Sequence, residues 1–245
     1  MPQRTPHPTP PRVAAIVPAF NEAETLADVL SVLKETSLVD EVLVVSDGST
    51  DGTVDVARRL GVKVLHLRRN YGKAMAMAIG VAHTSAEAVL FVDADVLNLS
   101  DYLLAQLVEP VQERRADMVI GVRHRGWPID VVHRNFGPLL SGLRCLRREI
   151  FEAVPDAYLQ GYTVETALNW ACGRLGLRSE TVVFHNLRHV VKEKKRGLAS
   201  GLRARYEMFR AVFLAWLALT WKRPGLRPSA SRGRALRPEP EYINW

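Results

Sequence analysis

Residues 89–100 read VLFVDADVLNLS, and the fold turns on how that stretch ends. Val89 to Val92, with Ala94, form an apolar run suited to a buried strand, and the run passes directly into Asp93 and Asp95. In an extended chain, residues i and i+2 point to the same side, so this reading puts both carboxylates in one place at a strand end. Two like charges held together need a cation, a proton or open water.

Outward from that point, strands alternate with helices. VAAIVPAF (13–20) is an apolar run, and EAETLADVLSVLKET (22–36) carries Leu26, Val29, Leu30 and Leu33 at helical spacing. EVLVVS (41–46) and VKVLHL (62–67) read as further strands; DGTVDVARRLG, closed by Gly61, and KAMAMAIGVAHT read as helices. This order predicts an α/β fold with a mainly parallel sheet flanked by helices and a ligand site at the carboxyl ends of the strands.

Several of those ends carry chemistry. In PAFNEAE, Asn21 suits a helix cap and Glu22 the first turn; SDGSTDGT reads as a polar turn that leaves Asp47 exposed. Asp47 can accept hydrogen bonds from a base or ribose, while Asp93 and Asp95 can place a divalent cation against a diphosphate. Lys73 follows Gly72 at a helix start, where N–H groups and an ammonium can both meet an anion. Together these describe a nucleotide diphosphate site. No G-x-G-x-x-G opens a helix, and the Gly72–Lys73 pair is followed by Ala rather than Ser or Thr, which argues against dinucleotide oxidoreductases and P-loop NTPases.

The 245 residues, 47% of them apolar, suffice for a core without disulfide or metal staples. Cys145 and Cys172 form no ligand cluster and read as reduced, packed thiols of a cytoplasmic protein. The proline-rich start, residues 1–11, reads as a disordered arm without the apolar run of a secretory signal. No window approaches the roughly 18 apolar residues of a membrane span. A net charge of +7 points to an anionic partner.

IVPAFNEAETL, VVSDGSTDGT, NYGKAMAMAIG and VLFVDADV, in this order, resemble the amino-terminal half of family 2-type glycosyltransferases with the GT-A fold. The resemblance covers about 90 residues and implies a UDP- or GDP-sugar donor. It implies Mg²⁺ or Mn²⁺ held by Asp93 and Asp95, with Asp95 at the catalytic centre, and donor contacts from Pro18, Ala19, Phe20, Glu22, Asp47, Gly48, Lys73 and Asp93. Nucleotidyltransferases share that fold but begin with a glycine-rich basic loop, where this chain has PAFNEAE.

PLLSGLRCLRREIFEAVP and GYTVETALNWACGRLGL resemble the acceptor halves of two groups: polyprenyl- or dolichyl-phosphate hexose synthases, and glucosyl-3-phosphoglycerate synthases. Either implies a phosphate-bearing acceptor, met by Ser141, Gly142, Arg144 and Glu165; Arg144 is favoured over Arg147 and Arg148 because it stands by the Ser-Gly turn. Glu165 positions the acceptor, or acts as general base where a hydroxyl attacks. The first group often has Gln where this chain has Leu97; the second shares Asn98 and brings a late-strand histidine to the metal, for which FHNLRHVVKEKK offers His189 and, less well, His185.

The last quarter is strongly basic. AVFLAWLALTW (211–221) lies between KEKKRGLASGLRARYEMFR and KRPGLRPSASRGR. It is too short to span a bilayer, but with Trp216 and Trp221 it suits either the interface of an anionic membrane or a packed helix, on its own domain or in a homodimer. No nucleic-acid reading module accompanies the charge. The expected plan is a disordered arm (1–11), a catalytic domain (12–200) with donor half 12–100 and acceptor half 101–200, a basic amphipathic helix (201–225) and a flexible tail (226–245). The expected function is metal-dependent hexosyl transfer onto a polyprenyl phosphate or another lipid, in the cytoplasm or at the inner face of the membrane. The alternatives are a soluble phosphoglycerate-type enzyme and a noncatalytic nucleotide-sugar or membrane-surface binding protein.

Overall fold

A computed structural model of the chain describes residues 9–124, 126, 141–159, 163–185, 187–189, 210–211, 213–221, 224–226 and 241–243, with side chains for all of these but 188, 189 and 241–243. The strands are β1 (Val13–Ala19), β2 (Glu41–Ser46), β3 (Lys63–His66), β4 (Ala88–Phe91), β5 (Val96–Leu97), β6 (Met118–Arg123), β7 (Arg144–Arg147), β8 (Ser179–Phe184), β9 (Arg188–His189) and β10 (Glu241–Ile243). The helices are α1 (Leu26–Glu35), α2 (Thr53–Arg59), α3 (Lys73–Ala82), α4 (Asp101–Gln112), α5 (Arg148–Glu152) and α6 (Val164–Arg174).

One sheet holds eight strands in the order β10-β3-β2-β1-β4-β7-β6-β8, and β5 pairs with β9 apart from it. β3, β2, β1 and β4 are mutually parallel, β7 inverts the run before β6 and β8 resume the first direction, and β10 is antiparallel at the other edge. The carboxyl ends of six strands therefore share one edge, which is where an open α/β sheet presents loops to a ligand.

Alternation along β1 splits the core. Val13, Ala15 and Val17 face one cluster, into which α1 inserts Leu26, Val29, Leu30 and Leu33. Ile16 faces the other, with Met77 and Ile79 of α3. α3 lies close because of Gly80: a Cβ there would overlap the Ile16 side chain. Each fully buried leucine in such a layer stabilises the fold by about 1.5–3 kcal/mol.

Three readings of the sequence change. Asn21 caps no helix: its φ of 55° turns the chain, its N–H donates to Ser49 Oγ and its Oδ1 accepts from Thr50 N–H. α1 starts only at Leu26, so Glu22 lies before the helix, its N–H donating to Thr53 Oγ1. The end of the expected flexible tail adds a strand instead, with Glu241–Ile243 antiparallel to β3. Such pairing covers an edge that would otherwise expose unpaired N–H and C=O groups.

Among the described residues no helix is long and apolar enough to cross a membrane. Both cysteines are free and buried, and burial pushes the Cys145 thiol up to about 12 and that of Cys172 to about 11, which keeps them inert. The arm at 1–8, Gly161, and the basic stretches 190–209 and 227–240 lie outside the described residues.

Candidate active site

A cleft of about 570 Å³ opens at the carboxyl edge between the first and fourth strands. Pro18, Ala19, Phe20 and Glu22 line it from the end of β1, Asp47 from β2, Lys73 from α3, Asp93 and Asp95 from the segment after β4, and Glu165 from the first turn of α6. The structure thus gathers the four strand-end motifs and one residue of the acceptor half into a single cavity.

The two acids reach it by a different route from that expected. β4 ends at Phe91, and Asp93 opens a turn in which Asp95 lies, rather than both standing on an extended strand. Val96 N–H donates to the Asp93 carbonyl, and Thr25 Oγ donates to the Ala94 carbonyl at 2.8 Å. That buried hydroxyl, on the residue before α1, pins the turn from behind.

Lys73 opens α3 as expected, but its ammonium already meets anions of the chain: Asp93 Oδ1 at 2.6 Å and Glu165 Oε1 at 3.5 Å. Burial works against its charge, but Asp93 and then Glu165 outweigh that and raise its pKa above the ordinary lysine range. Gly142 lies directly over this pair, and a Cβ there would overlap Lys73 Nζ and both Asp93 oxygens. Those atoms are the ends of flexible side chains. Gly142→Ala is therefore expected to cost the fold no more than about 1 kcal/mol, while spreading the pair and lowering turnover at least about tenfold. Thermal melts beside initial rates check this; loss of stability matching the loss of rate would contradict it.

Asp47 is buried, not exposed. Tyr71 and Gly72 N–H groups donate to its oxygens at 2.7 and 2.8 Å, drawing the α3 loop over the end of β2. Burial pushes its carboxyl up, and the two N–H groups pull it partly back. Gly48 beside it has φ 72° and lies against the Arg69–Asn70 backbone, so any side chain there would collide.

Arg144 is corrected as well. It is 0% exposed, so its guanidinium is not presented to an acceptor. It donates to the carbonyls of Ser141 (2.7 Å) and Glu165 (3.3 Å) and to Asn169 Oδ1 (3.3 Å). Burial pulls its pKa down to about 10 against the opposing pull of Glu165 and Asp93. It braces the Ser-Gly turn against α6. The Ser141 hydroxyl donates inward to the Gly121 carbonyl. Arg147 and Arg148 belong to a larger cleft, about 820 Å³, at the opposite edge of the sheet, where Arg147 pairs with Asp117 (3.0 Å) and Glu149 (2.8 Å), and Arg148 with Glu152 (2.8 Å).

Asp95 lines the cleft half-buried and, among the described residues, has no hydrogen-bond or ion-pair partner. An unpaired carboxylate beside a second one is a hard-oxygen donor set suited to Mg²⁺ or Mn²⁺. No group of three or more His, Cys, Asp or Glu side chains close enough to share a metal occurs among the described residues. β9 pairs Val96 with His189, which brings the His189 backbone beside the residue that follows Asp95. His185 is elsewhere, its ring 4.3 Å from that of His124 beside a separate cleft that Asn98, at φ 61°, also lines.

Residues absent from the sequence reading include Thr25, Asn70 and Asn169. Asn169 falls one turn after Glu165 on α6, a spacing that puts both on one face and offered a signal for it. Thr25 and Asn70 lie within the motifs IVPAFNEAETL and NYGKAMAMAIG, which is the signal for each.

Comparison with known proteins agrees with this geometry. Residues 14–131 match the description "Glycosyl transferase family 2". Glycosyltransferase AglJ of Haloferax volcanii is 31% identical over 193 residues, covering 71% of this chain and 63% of its own. A 4,4'-diaponeurosporenoate glycosyltransferase of Staphylococcus aureus is 34% identical over 149 residues, covering 58% of this chain and 39% of its own. The chain thus spans under two thirds of either relative. Among solved structures, glucosyl-3-phosphoglycerate synthase from Mycobacterium tuberculosis with Mn²⁺ and UDP-glucose superposes with a TM-score of 0.70 at 28% identity, covering 85% of this chain and 78% of that one. The same enzyme with Mn²⁺, UDP-glucose and phosphoglyceric acid gives 0.69 at 27%, covering 85% of this chain and 79% of that one. By its sequence match over residues 14–131, its sheet order and its cleft, the chain is similar to the glycosyltransferases of family 2 and has their GT-A fold.

Proposed function

We propose that the chain transfers a hexose from a UDP-sugar to a phosphate-bearing acceptor with a divalent metal in the cleft. The observation that carries this reading is Asp95, without a partner among the described residues, beside the Asp93–Lys73–Glu165 ion cluster at the carboxyl edge of the sheet. Asp95 and Asp93 would hold Mg²⁺ or Mn²⁺, with His189, whose backbone pairs with Val96, as a third ligand. The metal, when bound, supplies positive charge to the leaving diphosphate. Lys73 adds a second cation on the α3 side, and its move from Asp93 toward the diphosphate frees that acid for the metal. Pro18, Ala19 and Phe20 form the wall on which a base rests, and Asp47, fixed by Tyr71 and Gly72, keeps acceptor capacity for it. Glu165, tied through Lys73 to the donor acids and through Arg144 to the Ser141–Gly142 turn, sets the acceptor side.

The solved relatives support a small phosphorylated acid as acceptor, since one of them holds phosphoglyceric acid. A lipid phosphate is the second reading, favoured by the apolar helix at 213–221. Release of nucleoside diphosphate from UDP-, GDP- and ADP-sugars with Mg²⁺ or Mn²⁺, first alone and then with 3-phosphoglycerate or a polyprenyl phosphate, tests the class and separates the acceptors. Silence with every donor and both metals would rule the proposal out.

A further inference from the structure

The segment at 213–221 is helical, and apolar residues stand on all its sides. Ala215 and Leu219, one turn apart, point inward, with Leu219 entering the core layer that also holds Met77 and Leu168. At 3.6 residues per turn the stripe opposite to them is Phe213, Leu217 and Trp221. Phe213 is 57% exposed and Trp221 82%, with Leu214 at 51% and Trp216 at 45% beside them. Phe213 and Trp216 stack with ring centres 6.2 Å apart. A helix apolar all round is ordinarily covered all round, yet among the described residues this one is covered on one side.

We infer that the outward face of this helix docks on an anionic lipid bilayer. Charge complementarity selects that occupant. Arg210 is exposed on the amino-terminal side of this stripe, Lys222 and Arg223 follow Trp221 in the sequence, and the sequence on both sides is dense in Lys and Arg within a chain of charge +7. A second copy would bring the same cationic flanks against each other, whereas acidic headgroups neutralise them while the rings enter the interface. A surface position fits too, since among the described residues no helix is long and apolar enough to span a membrane. The inference deepens the proposed transfer reaction by naming where a lipid acceptor is met, and it can fail independently of that reaction.

The test is cosedimentation of the full chain with vesicles of phosphatidylcholine alone or with about one third phosphatidylglycerol. The bound fraction is expected to be at least about tenfold higher on the anionic vesicles at low salt, and to fall as added salt screens the cationic flanks. A Phe213→Glu, Trp221→Glu variant, altering two exposed positions, is expected to lose about tenfold of that binding while its melting temperature and donor hydrolysis stay as in the wild type. Equal binding to both vesicles, or none, overturns the inference. So does a dimer in solution that the same variant dissociates, which would assign the face to a second copy. Vesicle binding without donor hydrolysis would leave the docking surface standing and remove the transferase reading.

Discussion

Asp95→Ala is expected to lower sugar transfer by about three orders of magnitude, equivalent to roughly 4 kcal/mol of transition-state stabilisation. Asp95 is the carboxylate of the cleft that no described group engages, so its removal takes away a metal ligand and leaves no partner stranded. The fold should hardly respond: a half-buried, unpaired acid contributes within about 0.5 kcal/mol. The loss should depend on metal. With Mg²⁺ or Mn²⁺ the variant should bind UDP-sugar more weakly than the wild type, and in excess chelator the two should bind alike. Titration calorimetry under both conditions separates a metal ligand from a residue that merely shapes the cleft. A folded variant that turns over within tenfold of the wild type would exclude Asp95 from the metal site.

The donor half was legible in the sequence because each of its elements carries a local pattern. EVLVVS became the strand Glu41–Ser46 at the expected bounds, and the leucine spacing of α1 marked the face that is buried. What escaped was set by distant contacts. SDGSTDGT has the composition of a solvated turn, and only the N–H groups of Tyr71 and Gly72, more than twenty residues on, convert Asp47 into a buried, satisfied acceptor. RCLR is four residues long inside a basic block, so neither its place between β4 and β6 nor the burial of Arg144 had a local sign. Burying a guanidinium is affordable only where carbonyls and carboxylates converge from another element, here α6. The edge strand Glu241–Ile243 has no local pattern of its own and is a strand by its pairing with β3. The acids at 93 and 95 were placed correctly for a reason that proved incomplete: a pinned turn, not strand periodicity, aims them into one cleft.

Lys73→Met should move two affinities in opposite directions. In the wild type the Lys73 ammonium lies 2.6 Å from Asp93 Oδ1 and 3.5 Å from Glu165 Oε1, so part of the cleft's negative charge is already balanced. Methionine keeps most of the side-chain length and removes the charge, leaving Asp93, Asp95 and Glu165 to repel one another about an open cleft. A divalent cation alone should then bind about tenfold more tightly, because it no longer competes with the ammonium for Asp93. The UDP-sugar, deprived of a cation for its diphosphate, should bind more weakly, and turnover should fall by about two orders of magnitude. A lysine that only shapes the fold would not produce that opposition, and weaker binding of both metal and donor would assign it that role. The pH dependence follows from the direction of its shift. A base whose folded pKa lies above its unfolded value contributes stability that is complete below the unfolded value, near 10.5, and is lost only as pH rises through the folded one. Between about pH 6 and 9 the wild type should therefore show no step in stability or donor binding from Lys73, and any step in that window belongs to another group.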